Sequence, residues 1–236
     1  MKRCGLLLVL ILLVAAACSG TALAQEVQPD LAMLRVMHGA PGAPPIDVIV
    51  DGVRAFADAA YGSVTPYLAV VAGSHSIQVV QAGTTLPVLF QTTVDLKVNS
   101  YNTLSAAGQP GSFTVLPTVD GNCLPPLRIA AVRLVNLSPN AAALDAVLRG
   151  NVGVSRAAVE VPISGVASGS ASSYTNTVVG TYDIDLRQPG TNRVLTSLPD
   201  VPLVAATTYT VYGIGLVDGR PGLQAVLTSD APPFGR

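Results

Sequence analysis

One stretch of this chain recurs about a hundred residues further on, and that recurrence constrains the fold more than any other feature. Residues 34–52 read Leu-Arg-Val-Met-His-Gly-Ala-Pro-Gly-Ala-Pro-Pro-Ile-Asp-Val-Ile-Val-Asp-Gly, and residues 132–150 read Val-Arg-Leu-Val-Asn-Leu-Ser-Pro-Asn-Ala-Ala-Ala-Leu-Asp-Ala-Val-Leu-Arg-Gly. Arg35, Pro41, Asp47 and Gly52 align with Arg133, Pro139, Asp145 and Gly150. Later, Gln81-Ala-Gly-Thr84 matches Gln188-Pro-Gly-Thr191. A self-similar unit of this size reads as one folded module present twice. The second copy also acts as an internal control, because a chemical group found in only one copy is hard to defend as machinery.

The pattern inside each copy is that of strands. Short runs of Val, Ile, Leu, Thr and Tyr alternate with Gly, Pro, Asp, Asn and Ser, as in an all-β sandwich. Ile46, Val48 and Val50 face one side of a strand, with Asp47 and Asp51 on the other. Asp51-Gly52 then makes a hairpin turn, with Arg149-Gly150 as its counterpart. A second hairpin is expected from Tyr67 to Ile77 and from Tyr174 to Ile184, turning at Gly73 and Gly180. Further strands are expected near 86–95, 100–107 and 112–117, and near 193–204, 207–216 and 222–228. The second copy carries nine extra residues between Gly150 and Tyr174, placed in the Ser/Gly-rich run 161–173, which reads as a long surface loop. The expected organisation is two tandem Ig-like or transthyretin-like β-sandwich modules at 31–118 and 128–230. A linker at 119–127 joins them and a tail at 231–236 follows.

The start of the chain addresses it outward. Lys2 and Arg3 precede the apolar run Gly5 to Ala17, which suits a signal-peptide core. Ala22-Leu-Ala24 offers a small-x-small cleavage site, so the signal peptide is 1–24. Ala15-Ala-Ala-Cys18 resembles a lipoprotein box, which would end the signal at 17, lipidate Cys18 and tether the protein to a membrane. The protein is therefore expected to be secreted or extracytoplasmic, with a membrane reached only through that anchor. Cys123 is then the one cysteine of the mature body beyond Cys18, so no disulfide framework is expected. The 13 basic residues face 14 acidic ones, and Lys97 is the only lysine after Lys2. Without a basic cluster, nucleic acid is not an expected partner.

Few residues offer chemistry. His38 ends the first strand at a Pro-rich loop, and Asn136 takes its place in the second copy. Asn can donate the same hydrogen bond but cannot act as a general base. His75 aligns with Tyr182 and reads as filler of a half-buried aromatic slot. Asp47 and Asp145 are the repeated acids, each in an apolar strand, where a carboxylate must be held by partners. They are expected to accept N–H bonds from the loop. Asp47, Asp145 and His38 are also the residues that would ligate a metal, calcium above all, although no dense Asp-x-Asp-x-Asp-Gly loop is present and no cofactor is expected. Tyr67 and Tyr174 are placed to hydrogen-bond across a corner of the sandwich. Asp183 and Asp185 read as a solvated edge. No nucleophile elbow, zinc motif, phosphate loop or Cys-x-x-Cys is present. Trp is absent and only four Phe occur, so an aromatic platform for glycans is poorly supplied.

The string His38 to Gly52 resembles the "HASPDAPAVDVYVDG" signature of the bacterial extracellular family catalogued as domain of unknown function 4397. The stretch Tyr67 to Val79 is similar to the "YL-x-VPAGTYTV" segment that follows it. The second copy carries both more loosely, with Asn136 in place of the motif's His, and Tyr209 to Gly215 resembles a late strand of that family. The resemblance implies secreted or envelope-attached β modules and brings no catalytic residues. The resulting expectation is a non-catalytic structural or interaction module of the cell envelope, binding an extracellular protein or glycan. A small-ligand or carbohydrate-binding module is the alternative, and a hydrolase the third.

Overall fold

The short apolar runs pair as strands, because β-branched and aromatic side chains pack well on a half-buried pleat. The computed structural model describes residues 29–121, 125–152 and 157–230, and among these it holds seventeen strands and no helix. In the first half these are β1 (Leu31–His38), β2 (Ile46–Val50), β3 (Val53–Ala59), β4 (Leu68–Val71), β5 (Gly73–Gln81), β6 (Val88–Leu96), β7 (Tyr101–Ala107) and β8 (Thr114–Val119). They form two sheets, ordered β4-β1-β7-β8 and β3-β2-β5-β6. The second half holds β9 (Ile129–Asn136), β10 (Ala143–Val152), β11 (Ala157–Ala167), β12 (Ser170–Ala171), β13 (Thr175–Val178), β14 (Gly180–Arg187), β15 (Val194–Leu203), β16 (Thr207–Ile214) and β17 (Gln224–Ser229). Its sheets run β12-β9-β16-β17, with β13 also on β9, and β11-β10-β14-β15. The strand order thus repeats.

The four sheets stack in layers. Ile46, Val48 and Val50 of β2 meet Leu34 and Val36 of β1 and Leu104 of β7 in one core. Leu144, Ala146 and Leu148 of β10 meet Val132, Leu134 and Val211 in a second. A third core, with Met37, Ala107, Val135, Leu137, Tyr212 and Ile214, joins the two inner sheets back to back. The strands at the centre of those sheets, β1 with β7 and β9 with β16, run parallel and are covered on both faces. They therefore read as almost unbroken buried runs, as in β7, where all seven residues are buried. The outer strands alternate, as β6 does.

Three expectations about local structure are corrected. The turn Asp51-Gly52 is present, with φ of 51° and 82° between the paired Val50 and Val53, the geometry of a two-residue hairpin. Its supposed counterpart Arg149-Gly150 is not a turn. Both residues lie inside β10, paired with Glu160 and Val159 of β11, because this hairpin is longer. Gly150 serves close approach instead: a Cβ there would sit 2.7 Å from Cδ1 of Tyr182. The Tyr67–Ile77 and Tyr174–Ile184 segments are not hairpins either. β4 pairs with β1, whereas β5 pairs with β2 and β6, so Gly73 carries the chain from one sheet to the other, and Gly180 does the same between β13 and β14. Finally, most of 161–173 is strand: β11 runs to Ala167 and β12 follows at Ser170. Within β11, Val161, Ile163 and Val166 pack on the core, an apolar face that composition alone concealed.

Candidate functional site

Asp47 is buried within β2, and its neighbours on both flanking strands turn N–H groups toward it. Asp58, a left-handed residue at a bulge of β3, donates its N–H to Oδ1 at 2.7 Å. Gly83, in the turn between β5 and β6, donates to Oδ2 at 3.0 Å, and Arg54 adds an ion pair at 3.0 Å. The second half repeats the arrangement. Gly165, left-handed at a bulge of β11, donates to Oδ1 of Asp145 at 2.6 Å, and Gly190 donates to Oδ2 at 3.0 Å. A bulge frees a backbone N–H from the ladder, and a carboxylate in the next strand accepts it. The repeated Gln-x-Gly-Thr segment acquires its meaning here, since its glycine N–H is the second donor. The expected braced loop was the Pro-rich one; the donors come instead from a bulge and a turn on either side.

The Pro-rich loop is held by His38. Its ring Nε2 lies 3.0 Å from the Pro44 carbonyl and Nδ1 accepts the Ala40 N–H at 3.4 Å, which assigns the proton to Nε2. Burial lowers its pKa against the opposing pull of the Pro44 carbonyl. Asn136 holds its loop from the equivalent position: its Oδ1 accepts the N–H two residues on, from Ser138, as His38 does from Ala40, while its amide donates to the carbonyls of Ala141 and of Val166 on β11. Pro41 and Pro139 lie in these two loops. Pro44 borders a surface cleft of about 360 Å³ with Pro87, Leu89 and Phe113; neither His38 nor Asp47 lines it. His38 and Asp47 share no hydrogen bond, and among the described residues no group of three or more His, Cys, Asp or Glu could hold a metal.

His75 and Tyr182 do take equivalent places. Each reaches back four residues, His75 Nε2 to the Val71 carbonyl at 2.7 Å and Tyr182 Oη to that of Val178 at 2.8 Å. His75 Nδ1 also meets Oδ2 of Asp51 at 2.6 Å, so both ring nitrogens face acceptors. Asp185 departs from expectation. It is not a solvated edge but is 1% exposed, held by Arg149, Arg187 and Ser197. Burial would raise its pKa, yet these donors bring it below the usual range. Its strand, β14, lies between β10 and β15; Asp183 on that strand is half-buried and Thr181 is exposed.

The most highly organised polar site lies between the halves; it includes Tyr67 and Tyr174, expected to bond across a sandwich corner, but its carboxylates were not singled out from sequence. Arg35 of β1 and Arg133 of β9 are 2% and 3% exposed, and Asp120 and Asp230, just past β8 and β17, are 2% and 4% exposed. Arg35 Nε donates to Thr103 Oγ1 at 2.8 Å, and Arg133 Nε to Thr210 Oγ1 at 2.9 Å. Each hydroxyl passes a hydrogen bond to the carboxylate of its own half, Thr103 to Asp120 and Thr210 to Asp230. Tyr67 and Tyr174 donate to the same two carboxylates at 2.5 Å. The guanidinium groups cross over. Arg35 Nη2 binds Asp230 at 2.5 Å and its Nη1 reaches the Ser229 carbonyl, while Arg133 Nη2 binds Asp120 and its Nη1 reaches the Val119 carbonyl. Each guanidinium also lies over its own half's tyrosine ring, 4.5 Å from Tyr67 and 4.8 Å from Tyr174.

Burial alone would lower the Arg35 pKa, but Asp120, Tyr212, Tyr67 and Asp230 outweigh it and hold it above the ordinary value; Arg133 is raised likewise. Burial chiefly, with the nearby carboxylates, raises both Tyr67 and Tyr174, which stay protonated donors. The available signal was an arginine in the middle of each apolar strand, aligned between copies. Asp120 was hidden inside the stretch expected to be a linker.

Cys18, Cys123, the signal segment and the 231–236 tail lie outside the described residues. Among those described, no helix is long and apolar enough to cross a membrane.

Comparison with known proteins gives a family and little more. No curated protein matches the chain in sequence. Among solved structures, the carbohydrate-binding module CBMbc (family CBM26) from Eubacterium rectale Amy13K, solved with maltoheptaose, is 9% identical with a TM-score of 0.27, covering 85% of this chain and 98% of its own. A candidate cell adhesion protein from Bacteroides fragilis is 11% identical with a TM-score of 0.24, covering 88% of this chain and 99% of its own. At scores this low neither superimposes as a whole fold, and their activities say nothing about this protein. The model of the domain of unknown function DUF4397 matches residues 32–147, from β1 through the first strands of the second half. The chain belongs, through these residues, to the DUF4397 family.

Proposed function

We propose that this protein is a non-catalytic structural or interaction module of the cell envelope, built from two tandem copies of one β-sandwich and working outside the cytoplasm. One observation carries the reading: the polar residues that recur in both copies are turned inward. Asp47 and Asp145 accept backbone N–H groups, His38 and Asn136 hold their loops, and Arg35 and Arg133 neutralise buried carboxylates. Side chains committed in this way brace the scaffold, which leaves loop tips and sheet edges to meet a partner. His38 and Asp47 each serve a different loop, which argues against a hydrolytic site. The glycan-binding alternative needs exposed aromatic faces. Tyr101, Tyr182, Tyr209 and Tyr212 are buried, and Tyr67 and Tyr174 lie beneath guanidinium groups. The test is to present the immobilised protein to solubilised envelope proteins and, separately, to purified glycans. Saturable capture of an envelope protein at micromolar concentration supports the proposal; binding to glycans alone, or turnover of ester, peptide or glycoside substrates, overturns it. Attachment through Cys18 is part of the same reading, and metabolic lipid labelling that persists in Cys18→Ala removes it.

A further inference from the structure

The face where the halves meet is symmetric in charge but not in shape. The arginines, threonines, tyrosines and carboxylates correspond one to one, so charge by itself would let either face pair with a copy of itself. Around them the side chains do not correspond. Register places Ser105 opposite Met37 and Tyr212 opposite Val135, two residues beyond the Arg35–Thr103 and Arg133–Thr210 pairs. Two residues further, Gly39 and Ala107 in the first half stand where the second half has Leu137 and Ile214. Three small residues on one face therefore answer three large ones on the other. Contact bears this out: a Cβ on Gly39 would lie 2.7 Å from Leu137 Cδ1 and 3.0 Å from Ile214 Cγ2. The buried hydroxyls of Ser105 and Tyr212 have no hydrogen-bond partner, so their sizes, not their polar atoms, are what the packing uses. Only Met37 against Val135 runs the other way.

We infer that the inner face of the first half is a receptor for one kind of partner, a unit of the second type, whether from its own chain or from another copy of the chain. The crossed Arg–Asp pairs supply the attachment: Asp230 pairs with Arg35 of the other half, and Asp120 is bound more closely by Arg133 of the other half than by Arg35 of its own, which lies 3.4 Å away. The small floor of Gly39, Ser105 and Ala107 supplies the choice. Two first-type faces would leave voids where Leu137, Tyr212 and Ile214 belong, and two second-type faces would set those side chains against their own copies. The inference stands on this packing and not on the external partner, so its failure would leave the envelope reading untouched.

The experiment uses the full chain with a protease site replacing residues 122–124, cut after folding. Native mass spectrometry is expected to find the halves together as a 1:1 pair. After mixing with an isotope-labelled cut sample, only pairs of one first and one second half are expected. Free halves at micromolar concentration, or pairs of like with like, overturn the inference. In the cut chain, Gly39→Ala is expected to weaken association tenfold or more, and Leu137→Ala in the same chain to restore it, with circular dichroism reporting the β-content of each. Unchanged association in Gly39→Ala, or no rescue in a folded double variant, also overturns it. If a variant fails to fold, the exchange between unsubstituted halves decides alone.

Discussion

Two sets of buried carboxylates can be compared directly. Asp47 and Asp145 are satisfied from within their own halves, by N–H groups at a bulge and a turn on adjacent strands. Asp120 and Asp230 receive neutral donors from their own halves but their closest counter-charges from across the interface, with Arg35 at 3.4 Å as a second, same-half partner of Asp120. The first set makes each sandwich a finished object, since backbone donors come with the fold. The second ties the sandwiches together, because parting them would remove the ion pair of Asp230 and the closer of the two at Asp120, and a buried carboxylate without a cation is expensive. The same residue type, repeated in the same way, thus serves local closure in one place and mutual dependence in the other.

The largest expected effect comes from breaking the crossed pairs. Asp120→Ala, which strands Arg133, and Arg35→Ala, which strands Asp230, should each cost about 3–5 kcal/mol in denaturant unfolding. Removing both members of one crossed pair should cost less than the two single losses added together. Costs below about 1 kcal/mol would show that water replaces the missing partner, and the contrast drawn above would collapse. Next, Asp47→Ala or Asp145→Ala should cost about 2–3 kcal/mol, since charged acceptors are lost. The damage should stay local, with faster amide hydrogen exchange at Asp58 and Gly83 in one variant and at Gly165 and Gly190 in the other. Exchange that quickens equally in both halves would deny that these corners are self-contained.

Smaller effects separate the aligned glycines. Gly150→Ala should cost about 1–3 kcal/mol through overpacking against Tyr182. Gly52→Ala should cost about 1 kcal/mol, because its left-handed backbone is open to solvent and only conformational strain is added. Equal costs would mean that the two positions are used alike.

The smallest effect is a pH dependence confined to the first half. Burial lowers the His75 pKa, but the hydrogen bond to Asp51, the Val71 carbonyl and the charges of Asp51 and Asp95 bring it above its ordinary value. A raised folded-state pKa means that the stabilisation is complete below the unfolded value of about 6.5 and is lost as pH rises through the folded one. A thermal midpoint that drifts down over that window, and a flat one in His75→Tyr, are expected. Tyr182 already fills the equivalent place in the second half.

Much of the strand pattern was legible because period-two alternation and turn residues are local properties. The expected strands near 86–95, 100–107 and 112–117 correspond to β6, β7 and β8, and those near 193–204, 207–216 and 222–228 to β15, β16 and β17. What misled were residues whose local and tertiary roles differ. Gly150 looked like a turn glycine because Gly52 is one, yet it makes room for a ring on the neighbouring strand. Gly73 and Gly180 looked like hairpin turns because apolar runs flank them, yet the runs belong to different sheets. Asp185 looked solvated because its first-half partner is Gln78, while the arginines that bury it, Arg149 and Arg187, come from its own half.

By itself the sequence determined the all-β class and the recurrence of Arg35, Asp47, Tyr67 and their counterparts, because these follow from identity and spacing along one dimension. Only the tertiary structure decided which carboxylate meets which arginine, since Arg35 and Asp230 are brought together from opposite ends of the described chain. It also decided that the inner sheets are covered on both faces, and that a glycine, a serine and an alanine on one of them receive a leucine, a tyrosine and an isoleucine from the other. Burial and complementary shape are properties of two surfaces in contact, and neither surface exists until the chain has folded.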